Sequence, residues 1–112
     1  MQLAFYRQGR EYYLSVDDFL FFETEGRQVY AHTVDRIYVT KYRLYELEKI
    51  LTSNFVRASK SAILNVDKVW SLTHSLSNNL IEFNGSQKQI YVSRRYYHAV
   101  KEKLEGRGIE HE

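Results

Sequence analysis

The chain has 112 residues, 44% of them hydrophobic and 27% charged, with a formal net charge of +2. That length suits one domain with one modest core and is too short for two. The absence of Cys excludes disulfides and thiolate chemistry, and no run approaches the ~18 apolar residues that span a bilayer.

The charge is unevenly spread. Residues 11–54 carry five basic and eight acidic side chains, whereas residues 55–100 carry six basic and two acidic ones. Such an asymmetry can mark a surface that meets a polyanion. Met1 to Arg7 lacks the apolar stretch of a secretory signal. Ten Tyr, six Phe and one Trp favour half-buried strands, where a ring packs and a hydroxyl reaches water. In chain order, residues 3–7 and 11–15 predict a hairpin around Gly9. Residues 19–25 form the next strand, Gly26 turns the chain, and residues 27–33 and 36–40 continue the sheet. Residues 55–58 and 62–64 are strands separated by the polar Ser59-Lys60-Ser61. Residues 69–74 and 80–83 flank Ser77-Asn78-Asn79. Asn84-Gly85 is the strongest hairpin signal, because both residues tolerate the positive φ of a type I′ turn; residues 89–92 then return.

Two segments have helical period. Leu44, Leu47, Ile50 and Leu51 share one face of a short helix, and Tyr97, Val100 and Leu104 share a face of a second. Both stripes read as core packing, and Ser93 is placed to cap the second helix. With no Pro and five Gly, no linker is expected. The domain is expected over residues 1–105, followed by a tail, 106–112, that loses periodicity and frays. The fold class is mainly β, antiparallel, with two short helices. No adjacent helix pair suits a helix-turn-helix.

Four stretches, in order, resemble one known family. Asp17-Asp18-Phe19-Leu20-Phe21-Phe22-Glu23 resembles an acidic turn followed by I-x-Y-I-E, and residues 44–51 resemble the family's short helix. Phe55 to Asn65 is similar to the signature F-x-R-x-H-R/K-S-x-(I/V)-N. Leu80 to Gly85, then Ile90-Tyr91-Val92-Ser93-Arg94-Arg95, resembles the closing hairpin and (I/V)-x-(V/L)-S-R. The family is the LytTR type of bacterial DNA-binding domain, most often the output domain of response regulators in two-component systems. The resemblance runs from about residue 3 to residue 104. It implies an elongated stack of three small antiparallel sheets with short helices. It also implies a cytoplasmic transcription regulator whose loops enter successive major grooves of promoter DNA at direct repeats, bending it, with a second copy able to sit alongside. Ser59 stands where many members have His, which trades a titratable ring for a hydroxyl that still donates to phosphate. The chain opens at the family's first strand and carries no receiver or sensor; it is expected to be either a domain of a larger regulator or a stand-alone reader.

Three segments carry the chemistry expected of such a reader. In Gly26-Arg27-Gln28, Arg can take guanine bidentately and Gln can take adenine; a solvated hairpin tip is the alternative. The resemblance places a DNA-contacting position near Arg27. In Arg57-Ala58-Ser59-Lys60-Ser61, Lys60 aligns with a family residue that reaches DNA, and Ser59 and Ser61 are expected on phosphates. Arg57 sits at the rim, holding either a phosphate or an acidic neighbour, and Asn65 reads as a turn former. At Ser93-Arg94-Arg95, the positive end of a helix and two Arg favour phosphate, and Arg94 aligns with a family base-contacting Arg. A solvated pair at the helix start is the bland alternative.

Other classes fare worse. The four His show no His-x-x-x-His spacing, and Ser61 has no flanking Gly to form a nucleophile elbow. Neither an enzyme nor a bound cofactor or metal is therefore expected. A protein-interaction module of the same fold that lacks DNA binding is the main rival. RNA binding lacks an aromatic RNP pattern.

Overall fold

The computed structural model describes residues 1–108. The first strands, β1 (Gln2–Arg7) and β2 (Arg10–Ser15), pair from Gln2↔Ser15 to Arg7↔Arg10, which leaves Gln8-Gly9 as a two-residue loop. Both loop residues have positive φ, 51° and 76°, so the type I′ turn lies here. It does not lie at Asn84-Gly85, where only Gly85 is left-handed, at 69°. Asn84 is committed elsewhere: its backbone N donates to Lys68 O at 2.9 Å and its side chain donates to Val69 O at 3.2 Å. The closing hairpin therefore has a longer loop, residues 84–88.

Next come β3 (Phe21–Glu25), β4 (Gln28–His32) and β5 (Ile37–Thr40), then helix α1 (Leu44–Ile50). Strands β6 (Phe55–Ser59) and β7 (Ala62–Asn65) follow, then β8 (Val69–His74), β9 (Asn79–Phe83) and β10 (Gln89–Tyr91). Helix α2 (Arg94–Gly108) ends the described chain. It has 15 residues, so it is not short, and it carries the chain past residue 106, where fraying was expected. Residues 109–112 of that tail lie outside the described residues. None of the described helices is long and apolar enough to cross a membrane.

One sheet has seven strands in the order β2-β1-β5-β4-β3-β7-β6, and a second has three, β10-β9-β8. The first hairpin joins the larger sheet through a single pair, Tyr6↔Val39, so it behaves as a small sheet leaning on a five-stranded one. All pairings are antiparallel, and the molecule measures 41 × 29 × 27 Å.

Apolar residues are buried in two clusters rather than in one core. Successive strand residues face opposite sides, so Phe22 and Ile63 join Phe5, Phe19, Tyr38 and Leu47 on one face. Phe21 and Leu64 join Leu20, Ile81, Val92 and Val100 on the other. The uninterrupted apolar runs at residues 19–22 and 62–64 reflect this two-sided burial. Phe5 stacks on Phe19 at 4.2 Å, and Phe21 on Phe83 at 5.4 Å. Leu44 and Leu47 are buried as expected and Leu51 packs against the same cluster, but Ile50, the last residue of α1, is 37% exposed.

Asn65 locks the junction of these layers. It is 1% exposed. Its Oδ1 accepts from Asn54 Nδ2 at 2.9 Å and from Asp67 N at 3.0 Å, while its Nδ2 donates to Phe19 O at 3.0 Å. This is the turn-forming role expected from the sequence.

Candidate nucleic-acid interface

The β6–β7 turn is built by one side chain. Arg57 Nε donates to Ser59 O, Nη2 to Lys60 O and Nη1 to Glu48 Oε1, each at 2.8 Å. Of the two partners expected for Arg57, the structure supplies the acidic neighbour. Its side chain is 19% exposed, and it straps the turn to α1 instead of standing free. A β-bulge between Arg57 and Ser59 re-aims the tip, as bulges do. The Ser61 N donates to Ser59 Oγ at 3.2 Å, and the two hydroxyls lie 3.3 Å apart. Lys60 is exposed at the tip and makes no ion pair among the described residues.

Helix α2 begins beside this turn, because Ser93 N donates to Ala58 O at 2.9 Å. The expected cap is not formed: Ser93 Oγ is buried without a hydrogen-bond partner among the described residues. The first turn of α2 also lacks any acidic residue, so nothing on that turn neutralises the positive end of the helix dipole. Arg94 and Arg95 are exposed there; Arg95 lies over the Tyr96 ring at 5.6 Å.

The turn joining β8 to β9 forms the facing wall, and His74 stacks on Tyr97 of α2 at 4.6 Å. The resulting open groove is lined by Ser59, Ser61, Arg94, Leu76, Asn78 and Tyr91, among others. Two of the three predicted segments therefore meet in one place. The third lies at the same end of the large sheet but outside that groove. Thr24 N donates to Ser61 O at 2.8 Å, and the β3–β4 hairpin runs past that point to its tip. Gly26 takes φ +63° and is followed by Arg27, which has negative φ; this is the glycine-first pattern of a II′ turn. Arg27 and Gln28 are exposed and share a second depression with Lys41, Tyr42 and Arg43.

Lys41, Arg43 and the 75–78 turn were not among the expected site residues, yet the fold sets them beside those residues. Only the pairing Val29↔Thr40 brings the Lys41 connector beside Gln28. The polar run 77–79 was visible as a turn, but nothing in its spacing tied it to Arg94.

Glu23 also lines this groove. His32 Nε2 and Glu23 Oε1 are 3.0 Å apart, and the imidazole stacks on Phe21 at 4.2 Å. Burial first, and the nearby Lys88 charge second, hold His32 down at a pKa of about 4, below its ordinary 6.5. Glu23 is pushed up, chiefly by burial and then by Glu25, with Lys88 opposing.

For His32 the unfolded chain binds the extra proton first, so folding stability falls as pH drops from about 6.5 to about 4. The raised Glu23 works in the opposite sense, because the folded state then holds its proton more readily. Comparison with His32→Gln separates the two. The urea midpoint of the unaltered protein is expected to fall between pH 7 and pH 5 by more than that of the variant. Parallel behaviour of the two proteins would refute the assignment.

Comparison with known proteins agrees with this architecture. The model of the LytTr DNA-binding domain family matches residues 9–105. Two curated relatives, from Staphylococcus aureus strains NCTC 8325 and COL, are each named an uncharacterized HTH-type transcriptional regulator. Each is 34% identical over 91 residues, covering 81% of this chain and 62% of the relative. The chain thus spans less than two thirds of the length of these relatives. A solved LytTr DNA-binding domain from Bacillus cereus superposes with a TM-score of 0.83 at 19% identity, covering 92% of this chain and 95% of that one. In this chain α1 and α2 are separated by five strands, so the helix-turn-helix in the relatives' name does not describe its fold. With the signature in order along the sequence and the family model matched over residues 9–105, the chain belongs to the LytTr DNA-binding domain family.

Proposed function

We propose that the chain is a sequence-specific reader of double-stranded promoter DNA, acting in bacterial transcription regulation from the cytoplasm and without catalytic chemistry. The observation that carries this reading is the groove in which the uncapped start of α2, with Arg94, faces the Ser59-Lys60-Ser61 turn. A helix start without an acidic residue, bearing two cations, is unfavourable by itself, and an anion placed there removes the penalty.

In this reading Arg94 takes a guanine edge, and Arg95, Ser59 and Ser61 hold phosphate. Lys60 reaches the base or its phosphate. Arg27 and Gln28 reach the next groove of the duplex from the same end of the sheet, supported by Lys41 and Arg43. Arg57 positions the turn. Two copies on a direct repeat would each use this surface.

Binding is tested by titration against promoter duplexes at two salt concentrations. If about four phosphates are neutralised, affinity should fall roughly a hundredfold between about 50 and 200 mM salt. A response flat in salt would refute DNA binding and favour a protein-interaction module.

A further inference from the structure

Leu76 is 99% exposed, more than any other large apolar side chain among the described residues. A single exposed leucine is ordinary on a protein surface; what sets Leu76 apart is the turn that holds it and the groove it lines. The turn that carries it is braced: Ser75 N and Ser75 Oγ both donate to Asn78 O at 2.9 Å, and Ser75 Oγ accepts from Asn78 N at 3.1 Å. At its base, His74 contacts Asn79 and stacks on Tyr97 of α2. Leu76 is therefore presented by a closed turn whose other residues, Ser75, Ser77 and Asn78, are polar, and the exposed aromatic that shares its groove is Tyr91.

Its surroundings select the ligand. Leu76 lines the same groove as Arg94, Ser59 and Ser61, with Lys60 exposed at the adjoining tip. On a duplex entering such a cationic groove, the major-groove edges offer one apolar feature, the C5-methyl of thymine. We infer that Leu76 is a specificity-determining residue that packs on a thymine methyl in the major groove entered by Arg94. This inference rests on the DNA-reading function proposed above. It adds a thymine preference close to the guanine read by Arg94.

The test uses a duplex selected by the unaltered protein from random sequences. Each thymine is replaced singly by deoxyuridine, which removes only the methyl. The unaltered protein should lose about fourfold in affinity at one or two positions, the fold-change expected for one methyl-sized group leaving an apolar contact. Leu76→Ser should show a similar loss on the unmodified site and no further loss with deoxyuridine at those positions, whereas Arg94→Ala should keep the methyl dependence. Leu76→Ser should also keep its thermal midpoint, since the side chain touches no core. Indifference of the unaltered protein to every replacement would overturn the inference. So would wild-type affinity of Leu76→Ser, or a Leu76→Ser loss that leaves the methyl dependence intact. Those outcomes leave DNA binding standing; failure to select any duplex would overturn the DNA reading and this inference together.

Discussion

Arg94→Ala is expected to weaken binding to the selected site by about 1–3 kcal/mol, roughly five- to 150-fold. Arg94 is exposed at the first position of α2, in a groove shared with the β6–β7 turn. Among the described residues its guanidinium has none of the internal straps that occupy Arg57. The loss should concentrate on one guanine position, so that substituting this base costs the unaltered protein affinity and the variant almost nothing. Electrophoretic or anisotropy titrations on the selected site and its single-base variants measure this directly. Lys60→Ala supplies the contrast: a contact to phosphate alone lowers affinity for all sequences equally and reduces the salt slope by about one. Unchanged affinity of Arg94→Ala for the selected site would remove Arg94 from the interface.

Asn65→Ala is expected to lower the free energy of unfolding by about 2 kcal/mol, from two buried partners left unsatisfied at roughly 1 kcal/mol each, while the part-buried Asp67 N can reach water. The buried partners are Asn54 Nδ2 and Phe19 O; with Asp67 N they belong to three chain segments meeting beneath the large sheet. The urea midpoint should shift with little change in slope, and the fraction that remains folded should bind DNA as before. A loss below about 0.5 kcal/mol would mean that water replaces the amide at this site.

The signals that read correctly from sequence are those with local causes. Alternation and turn residues located each strand to within a few positions, since side-chain period and φ preference act over a handful of residues. Asn65 is an instance: a short polar side chain closing an apolar strand bonds the backbone just beyond it, here at Asp67 N. The type I′ turn illustrates the failure. Asn-Gly carries the stronger intrinsic preference, yet Asn84 is drawn to Lys68 and Val69, and Gln8-Gly9 takes the turn because the register of β1 and β2 leaves two residues between them. Ser93 fails for the same kind of reason: its backbone is pinned to Ala58, and its hydroxyl makes no bond to the helix it precedes.

By itself the amino-acid order determined that this is a mainly β domain with the LytTR signature, and that Arg27, Lys60 and Arg94 belong to exposed polar breaks. Those properties depend on composition and short spacings. Which breaks share a surface was decided only in three dimensions. Pairing of β3 with both β4 and β7 carries the Arg27 tip and the Lys60 turn to one end of the sheet, and the Ser93–Ala58 bond sets Arg94 beside the second of these. Pairing across such sequence separations is settled by burying both faces of the central strands, a global condition that no local stretch encodes.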